Sequence, residues 1–350
     1  MYQIETPFYL KSAHMKQVLP LLLLLVSIQA IAQKNEHTKS VLDLCINHAE
    51  SASLYRNSVN WDSLRSQVYA LAEDADSIPD LFPAMSHLFE ALRDEHGRIL
   101  YNWQSVVYYF GEPKPHQNGF DPAIYSKVQS GQVYAFHTEL LQKNVGYVRI
   151  VGMPTGDNVQ MAKGIQDAVC ELVDKGAQKW IIDLRYNGGG NLMPMAEGIA
   201  PIIGNGHVGG SEGLTQQESS DWKIENDDFY YDEYHVELEE GCPMKKLPKV
   251  AILTSLYTAS SGEALAVMFK GRKRTRFFGH KTIGLVTVTD YTELDEATKM
   301  ILTVSYYKDR NGTVYKEYVD VDEELPFVAE PLSEGDTSVQ RALEWLGRGK

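Results

Sequence analysis

Leu253-Thr254-Ser255-Leu256-Tyr257-Thr258-Ala259-Ser260-Ser261-Gly262-Glu263 is the stretch on which the reading of this chain turns. Val250 to Leu253 is an apolar, β-rich run, and Ala264-Leu265-Ala266-Val267-Met268-Phe269 has helix-forming character. Ser260 therefore falls at a strand-to-helix switch. The first N–H groups of a helix lack intrahelical partners and its N-terminal end is partly positive, so negative charge developing beside Ser260 is favoured. A serine there can act as a nucleophile. The same Ser260-x-x-Glu263 spacing is also a capping box, in which the two side chains only satisfy orphan N–H groups. Caps outnumber nucleophiles, and the local sequence leaves both readings open.

Upstream, Asp183-Leu184-Arg185-Tyr186-Asn187-Gly188-Gly189-Gly190 follows the strand-like run Trp180 to Leu184 and precedes a helix predicted over Leu192 to Ile203. Glycines let backbone N–H groups approach a ligand closely. Neither the lysine-bearing phosphate loop nor the dinucleotide fingerprint is present, so an oxyanion hole or a plain tight turn remains. Val145 to Val151 predicts a further strand and Asn158 to Lys175 an amphipathic helix, giving the βαβ rhythm of an α/β core. The acidic, aromatic segment Gly204 to Lys249 interrupts that rhythm and is expected to be a surface excursion. It carries Asp221, Glu225, Asp227, Asp228, Asp232 and Glu233.

Ahead of the core, apolar residues recur at helical spacing in Val41, Leu44 and Cys45, in Leu64, Val68 and Leu71, and from Leu81 to Leu92. An N-terminal helical bundle over residues 33–104 is expected, followed by a core over 105–350. Between Tyr101 and Lys143 the chain is aromatic and loop-rich. His96, in Leu92-Arg93-Asp94-Glu95-His96-Gly97, follows a predicted helix and has two carboxylates beside it; a lone histidine is ordinarily not catalytic. Glu317 follows the Asn311-Gly312 turn and would ordinarily be a solvated strand residue. A histidine base nevertheless needs an acceptor to fix its tautomer, and a carboxylate from a distant segment can supply it.

Taken in order, these pieces resemble peptidase family S41, the C-terminal processing and tricorn-core-like serine peptidases. The resemblance rests on Val145-Gly146-Tyr147-Val148-Arg149-Ile150, Asp183 to Gly190, Thr258 to Glu263, Gly279-His280-Lys281-Thr282-Ile283-Gly284 and the terminal helix Ser338 to Leu346. It implies a ClpP/crotonase-like β-α core. In the processing branch a lysine follows the fourth of these elements. Leu285 stands there, Lys281 is four positions early, and the Tyr101 to Lys143 interval is too short for a PDZ domain. Leu92 to His96 and Tyr315-Lys316-Glu317 match the histidine-dependent branch instead. The resemblance then implies Ser260 as nucleophile, His96 as general base and Glu317 as its orienting carboxylate. Gly189 and Ser261 would supply the oxyanion N–H groups, with Glu95, Glu263 and Asn187 in support. This chain departs from the pattern at Glu95, where a serine is usual, at His280, and after Glu317, where glycine and proline are missing.

The chain has 350 residues and a formal net charge of −14. Lys16, the apolar run Val18 to Ile28 and Ala30-Ile31-Ala32 read as a secretory signal peptide cut after Ala32, with translation starting at Met15. Its removal leaves a soluble, more acidic chain, for which nucleic acid and anionic membranes are poor partners. A secreted or periplasmic location follows. Three cysteines, Cys45, Cys170 and Cys242, lie far apart, which argues against a zinc site or a disulfide framework while leaving one pair possible. The expectation is a serine endopeptidase acting through an acyl-enzyme on a peptide or unfolded protein, with no metal or cofactor. The alternative is a catalytically silent protein of the same fold that binds a peptide or apolar ligand. An acyl-CoA enzyme of the crotonase type fits poorly with a secretory signal.

Overall fold

A computed structural model describes residues 36–131, 134–142, 144–238, 241–242, 244 and 246–348. The expected signal segment and its cleavage site lie outside the described residues. Among the described residues no helix is long and apolar enough to cross a membrane. The chain divides into two compact units, one comprising residues up to Tyr109 with Tyr291–Leu302, the other Phe110–Asp290 with Thr303 onward.

Among the described residues the first unit holds the α-helices α1 (36–52), α2 (Trp61–Leu71) and α3 (Phe82–Leu92). Asn60 caps α2 by accepting the Ser63 N–H at 3.0 Å, and Pro83 opens α3, where a missing N–H costs nothing. Val41, Cys45, Leu64, Val68, Met85, Leu88 and Phe89 meet in its core. Leu44, by contrast, is exposed. The unit is not purely helical: β1 (Arg98–Tyr101) and β2 (Gln104–Tyr108) form a hairpin, and β1 pairs antiparallel with residues 298–301. Asn102 and Trp103 make its turn with φ of 50° and 65°. The sequence lacks the Asn-Gly or Gly-X turn that would have announced it.

The second unit begins with α4 (Pro122–Ser130), followed by β3 (His137–Leu141), β4 (Val145–Arg149), α5 (Asn158–Asp174) and β5 (Lys179–Asp183). Next come α6 (Leu192–Gly198) and α7 (Ala200–Ile203), where a single helix is predicted from sequence. The break falls at Ile199, with Pro201 unable to donate into a continuous helix. A meander of β6 (Gly206–Glu212), β7 (Ser220–Glu225), β8 (Asp228–Tyr231) and β9 (Tyr234–His235) precedes β10 (Lys249–Thr254), α8 (Ser261–Phe269) and β11 (Thr275–Gly279). The remaining elements are β12 (Thr287–Glu293), β13 (Thr298–Asp309), β14 (Glu323–Glu324) and α9 (Thr337–Gly347).

The central sheet runs β14-β11-β10-β5-β4-β3, parallel except for β3 against β4. Its inner strands are buried on both faces, which is why they read as continuous apolar runs. Trp180, Ile182, Val250 and Ile252 face α5, α6 and α8, while Ile181, Ala251 and Leu253 face Val339, Ala342 and Leu346 of α9. Leu253 pairs with Asp183, so β5 and β10 end together and release the glycine turn and the Ser260 turn at one edge. Clefts in parallel sheets form outside such carboxyl ends.

The acidic segment is not a surface excursion throughout. β7 alternates strictly between buried and exposed residues, and Val208, Trp222, Ile224 and Phe229 join the main core, while β6 pairs with residues 306–309 of β13. Asp221 and Glu225 lie on the exposed face of β7, whose other face is apolar, and Asp227, Asp232 and Glu233 lie in the turns beside β8. At the end of the segment Cys242 is disulfide-bonded to Cys170 of α5, and Cys45 is free and buried.

Candidate active site

Ser260 sits at φ 53°, ψ −121°, between the end of β10 and the first residue of α8. A non-glycine residue in such a conformation costs about 1–3 kcal/mol and persists only where its surroundings impose it. Here they do. The arrangement of a capping box is present, with Glu263 Oε2 accepting the Ser260 N–H at 2.9 Å, yet the Glu263 N–H donates to the Ser260 carbonyl at 2.8 Å. Glu263 is fully buried, and its other carboxylate oxygen accepts from Thr282 Oγ1 and from the Gly284 N–H at 3.0 Å. Burial pushes this carboxyl up to about 7 despite those donors.

The glycine turn packs directly on Ser260. A Cβ on Gly189 would lie 2.7 Å from Ser260 Cβ and 3.2 Å from its Oγ, and Gly189 has φ +99°. Hydrogen bonds fasten the two turns: Ala259 N–H to Asn187 O at 2.9 Å, Ser261 Oγ to Gly190 O at 2.6 Å, Thr258 Oγ1 to Leu184 O at 2.8 Å. The two expected oxyanion donors differ in state. The Ser261 N–H has no acceptor among the described residues, whereas the Gly189 N–H donates to Asn187 Oδ1 at 3.0 Å.

Beneath the glycine turn, Arg185 is buried between two carboxylates. Its Nε and one terminal nitrogen bond Asp183 at 2.9 and 2.7 Å, and both terminal nitrogens bond Asp336 at 2.7 and 2.8 Å. Tyr147 also donates to Asp183, at 2.7 Å. The Asp and Arg of the Asp183 to Gly190 motif thus fix the turn's footing, tying β5 to the cap of α9. Asp336 was not legible as their partner, because only the folded sheet brings residue 336 to residue 185.

His96 and Glu95 belong to the first unit, in the turn after α3, where Arg93 ends the helix at φ 55°. Buried Asp94 shapes that turn, its Oδ1 accepting the N–H groups of His96 at 3.1 Å and Gly97 at 2.7 Å. His96 is 8 % exposed, and burial, followed by the charge of Arg98, pushes its imidazole down to about 3. It is therefore neutral at physiological pH.

Glu317 is exposed and lies in a bend rather than on a strand. It shares a surface depression with His116, His280, Lys281, Tyr318 and Glu324. His116, unremarkable in its Pro-rich loop, is the histidine whose proton affinity Glu317 raises, although burial lowers it overall. His116 Nε2 lies 3.1 Å from Ile283 O. The Glu317 carbonyl passes over Gly284, where a Cβ would meet it at 2.3 Å. Lys281 rests over the Tyr318 ring at 4.8 Å. No cluster of metal-ligating side chains occurs among the described residues.

The chain is similar to several known proteins. The chain is 26% identical over 170 residues to the nisin-resistance protein of Lactococcus lactis subsp. lactis, covering 47% of this chain and 49% of that one. It is 27% identical over 220 residues to a carboxyl-terminal-processing protease of Picosynechococcus, covering 60% and 48%. The chain spans about half the length of these curated relatives. Its fold is similar to that of a lipoprotein from Streptococcus agalactiae, with a TM-score of 0.65 at 18% identity, over 89% of this chain and 96% of that one. The model of peptidase family S41 matches residues 144–325, more than half of the chain and all of the Ser260 and glycine-turn segments. The chain belongs to peptidase family S41.

Proposed function

We propose that this chain is a serine-type endopeptidase in which Ser260 attacks the peptide carbonyl while His96 takes its proton. The tetrahedral oxyanion is held by the Ser261 N–H and the positive end of α8. His96 then returns the proton to the leaving amine, an acyl-enzyme remains on Ser260, and water resolves it with His96 again as base. Gly189 completes the oxyanion site when the oxyanion displaces Asn187 Oδ1 from its N–H. Glu317 is the proposed carboxylate of the set, and Glu95, Glu263 and Asn187 support it.

The observation that carries this reading is the backbone of Ser260, forced to φ 53°, ψ −121° at a strand-to-helix switch with the Gly189 backbone against its side chain. A cap needs no such conformation, since helix caps ordinarily sit in the β region. Leu285, in place of a lysine, supports a histidine base. The names of the relatives, a nisin-resistance protein and a carboxyl-terminal-processing protease, favour peptide or unfolded protein substrates. The Cys170–Cys242 disulfide joins the signal-like N-terminus in favouring a secreted or periplasmic site of action.

One observation favours the silent binding protein as a second reading, namely the engagement of the Gly189 N–H by Asn187. Cleavage of a peptide library by wild type and Ser260→Ala separates the two. The endopeptidase reading expects cleavage that Ser260→Ala abolishes; equal activity in both would overturn it.

A further inference from the structure

The end of the central sheet opposite Ser260 carries a cavity that the proposed chemistry does not use. It has a volume of about 510 Å³ and lies where α5 ends and β5, β10 and β11 begin. Val173, Ala177, Leu247 and Pro248 give it apolar walls, and Trp180, the second residue of β5, is part of its lining. Trp180 is fully buried, yet its Nε1–H has no acceptor among the described residues. Buried donors ordinarily find one. The benzene edge of the indole lies over Gly146 of β4, where a Cβ would meet it at 2.4 Å. The Nε1 edge is therefore turned away from β4 and toward β10, the side on which residues 246–248 and Arg274 enclose the cavity.

The rim of the cavity is basic. Lys179, Lys246 and Arg274 line it, and among the described residues no carboxylate does. Lys179 is committed to the end of α9, its Nζ donating to Leu346 O at 2.8 Å. Lys246 and Arg274 are exposed and make no ion pair among the described residues. Behind Pro248, the buried guanidinium of Arg272 donates only to carbonyl and hydroxyl oxygens, Pro248 O among them at 3.0 Å. Positive charge thus collects here on a chain whose net charge is −14.

We propose that this cavity binds a small carboxylic acid with an apolar body, of the class of medium-chain fatty acids. One carboxylate oxygen accepts the Trp180 Nε1–H, Lys246 and Arg274 close over the charge, and the alkyl chain lies against Val173, Ala177, Leu247 and Pro248. Three features converge on that chemistry. The indole donor calls for an acceptor, the cations without counter-ions call for that acceptor to be an anion, and the walls call for an apolar body. A neutral amphiphile would leave the cations unused, and an inorganic anion would leave the walls wet. The inference is independent of the reading of Ser260, which lies at the other end of the sheet.

The test is a titration with octanoate of the chain labelled at its tryptophan indole nitrogens, following the indole N–H resonances by NMR. Trp180→Phe assigns the resonance of interest. Overhauser contacts from the indole to Gly146 assign it equally well if that variant does not fold. Trp222, whose Nε1 is also buried without a partner but which does not line this cavity, is the internal control. Octanoate is expected to shift the Trp180 resonance saturably and to leave that of Trp222 in place. Octanol, with the same chain and no charge, should bind about 10-fold more weakly, and so should octanoate to the double variant Lys246→Gln, Arg274→Gln. Acetate, with the charge and no chain, should bind more weakly still. No saturable shift at Trp180 overturns the inference. So does octanol or acetate binding as tightly as octanoate, or an affinity for octanoate unchanged in the double variant.

Discussion

The N–H of Ser260 donates to Glu263 Oε2 at 2.9 Å, and the second oxygen of the same carboxylate takes both Thr282 Oγ1 and the Gly284 N–H. Thr282 Oγ1 in turn accepts the Val319 N–H at 2.8 Å. One buried carboxylate thereby joins the serine turn to the loop over 282–284 and to the segment after Glu317. Glu263→Gln keeps the shape but replaces one acceptor oxygen by a donor. At least one of the N–H groups then lacks an acceptor, at a cost of about 1–3 kcal/mol. A lower urea midpoint and a slower fluorophosphonate reaction are expected together; a change in neither would show that Glu263 is dispensable to the turn.

Gly189 and Gly188 are adjacent, yet substitution should separate them. Alanine at 189 must adopt φ +99° and place its Cβ 2.7 Å from Ser260 Cβ and 3.0 Å from Ala259 O. Alanine at 188 meets the amide end of the Gln129 side chain, which can move aside. Gly189→Ala should abolish probe labelling, with a stability loss of about 1–3 kcal/mol from backbone strain. Gly188→Ala should keep most of both. Labelling and thermal melts of the two variants provide the check.

Much of this arrangement was legible from residue patterns because it depends on local chain geometry. The apolar runs of β5 and β10, and the switch from apolar strand to small-residue turn to helix at Ser260, are local. The elements that escaped depend on contacts distant in sequence. Asp336 reaches Arg185 only after β5 and α9 pack, and the β1–β2 hairpin turns on Asn102-Trp103 without a glycine. The segment over 204–249 misled for a physical reason: its acidic residues are real and exposed, but Val208, Trp222, Ile224 and Phe229 alternate with them and fill the core. Glu317 was expected on a strand from the Asn-Gly turn before it, and the chain instead bends there, beside His116.

Cys170 and Cys242 are separated by 72 residues, so their bond restricts a long stretch of the unfolded chain. Its removal by the double change Cys170→Ser and Cys242→Ser should cost about 2–4 kcal/mol. Urea denaturation of the two proteins under non-reducing conditions measures this. Adding reductant to wild type should reproduce the shift, since Cys45 is buried and forms no disulfide.

Glu197 offers a test of pH dependence. It is fully buried on α6, and burial above all raises its carboxyl from 4.5 to about 8, with the negative charge of Asp228 adding to the effect. The folded chain therefore keeps a proton that the unfolded chain releases above its ordinary pKa. The stabilisation is complete below about pH 4.5 and is lost as pH rises through about 8. His96, lowered to about 3, acts oppositely, adding stability as pH rises between 3 and 6.5, so the comparison must be made against a single variant. Relative to Glu197→Gln, whose amide does not titrate, wild type should lose stability steadily across that window. Parallel curves for the two proteins would contradict the assignment.

The central claim is that Ser260 is a nucleophile served by His96. Intact-mass analysis after fluorophosphonate treatment, with peptide mapping of the adduct, addresses it in one step. One adduct is predicted on wild type, carried by Ser260, and none on Ser260→Ala or on His96→Ala. An adduct that persists in Ser260→Ala, or a wild type that takes up none, would contradict the account.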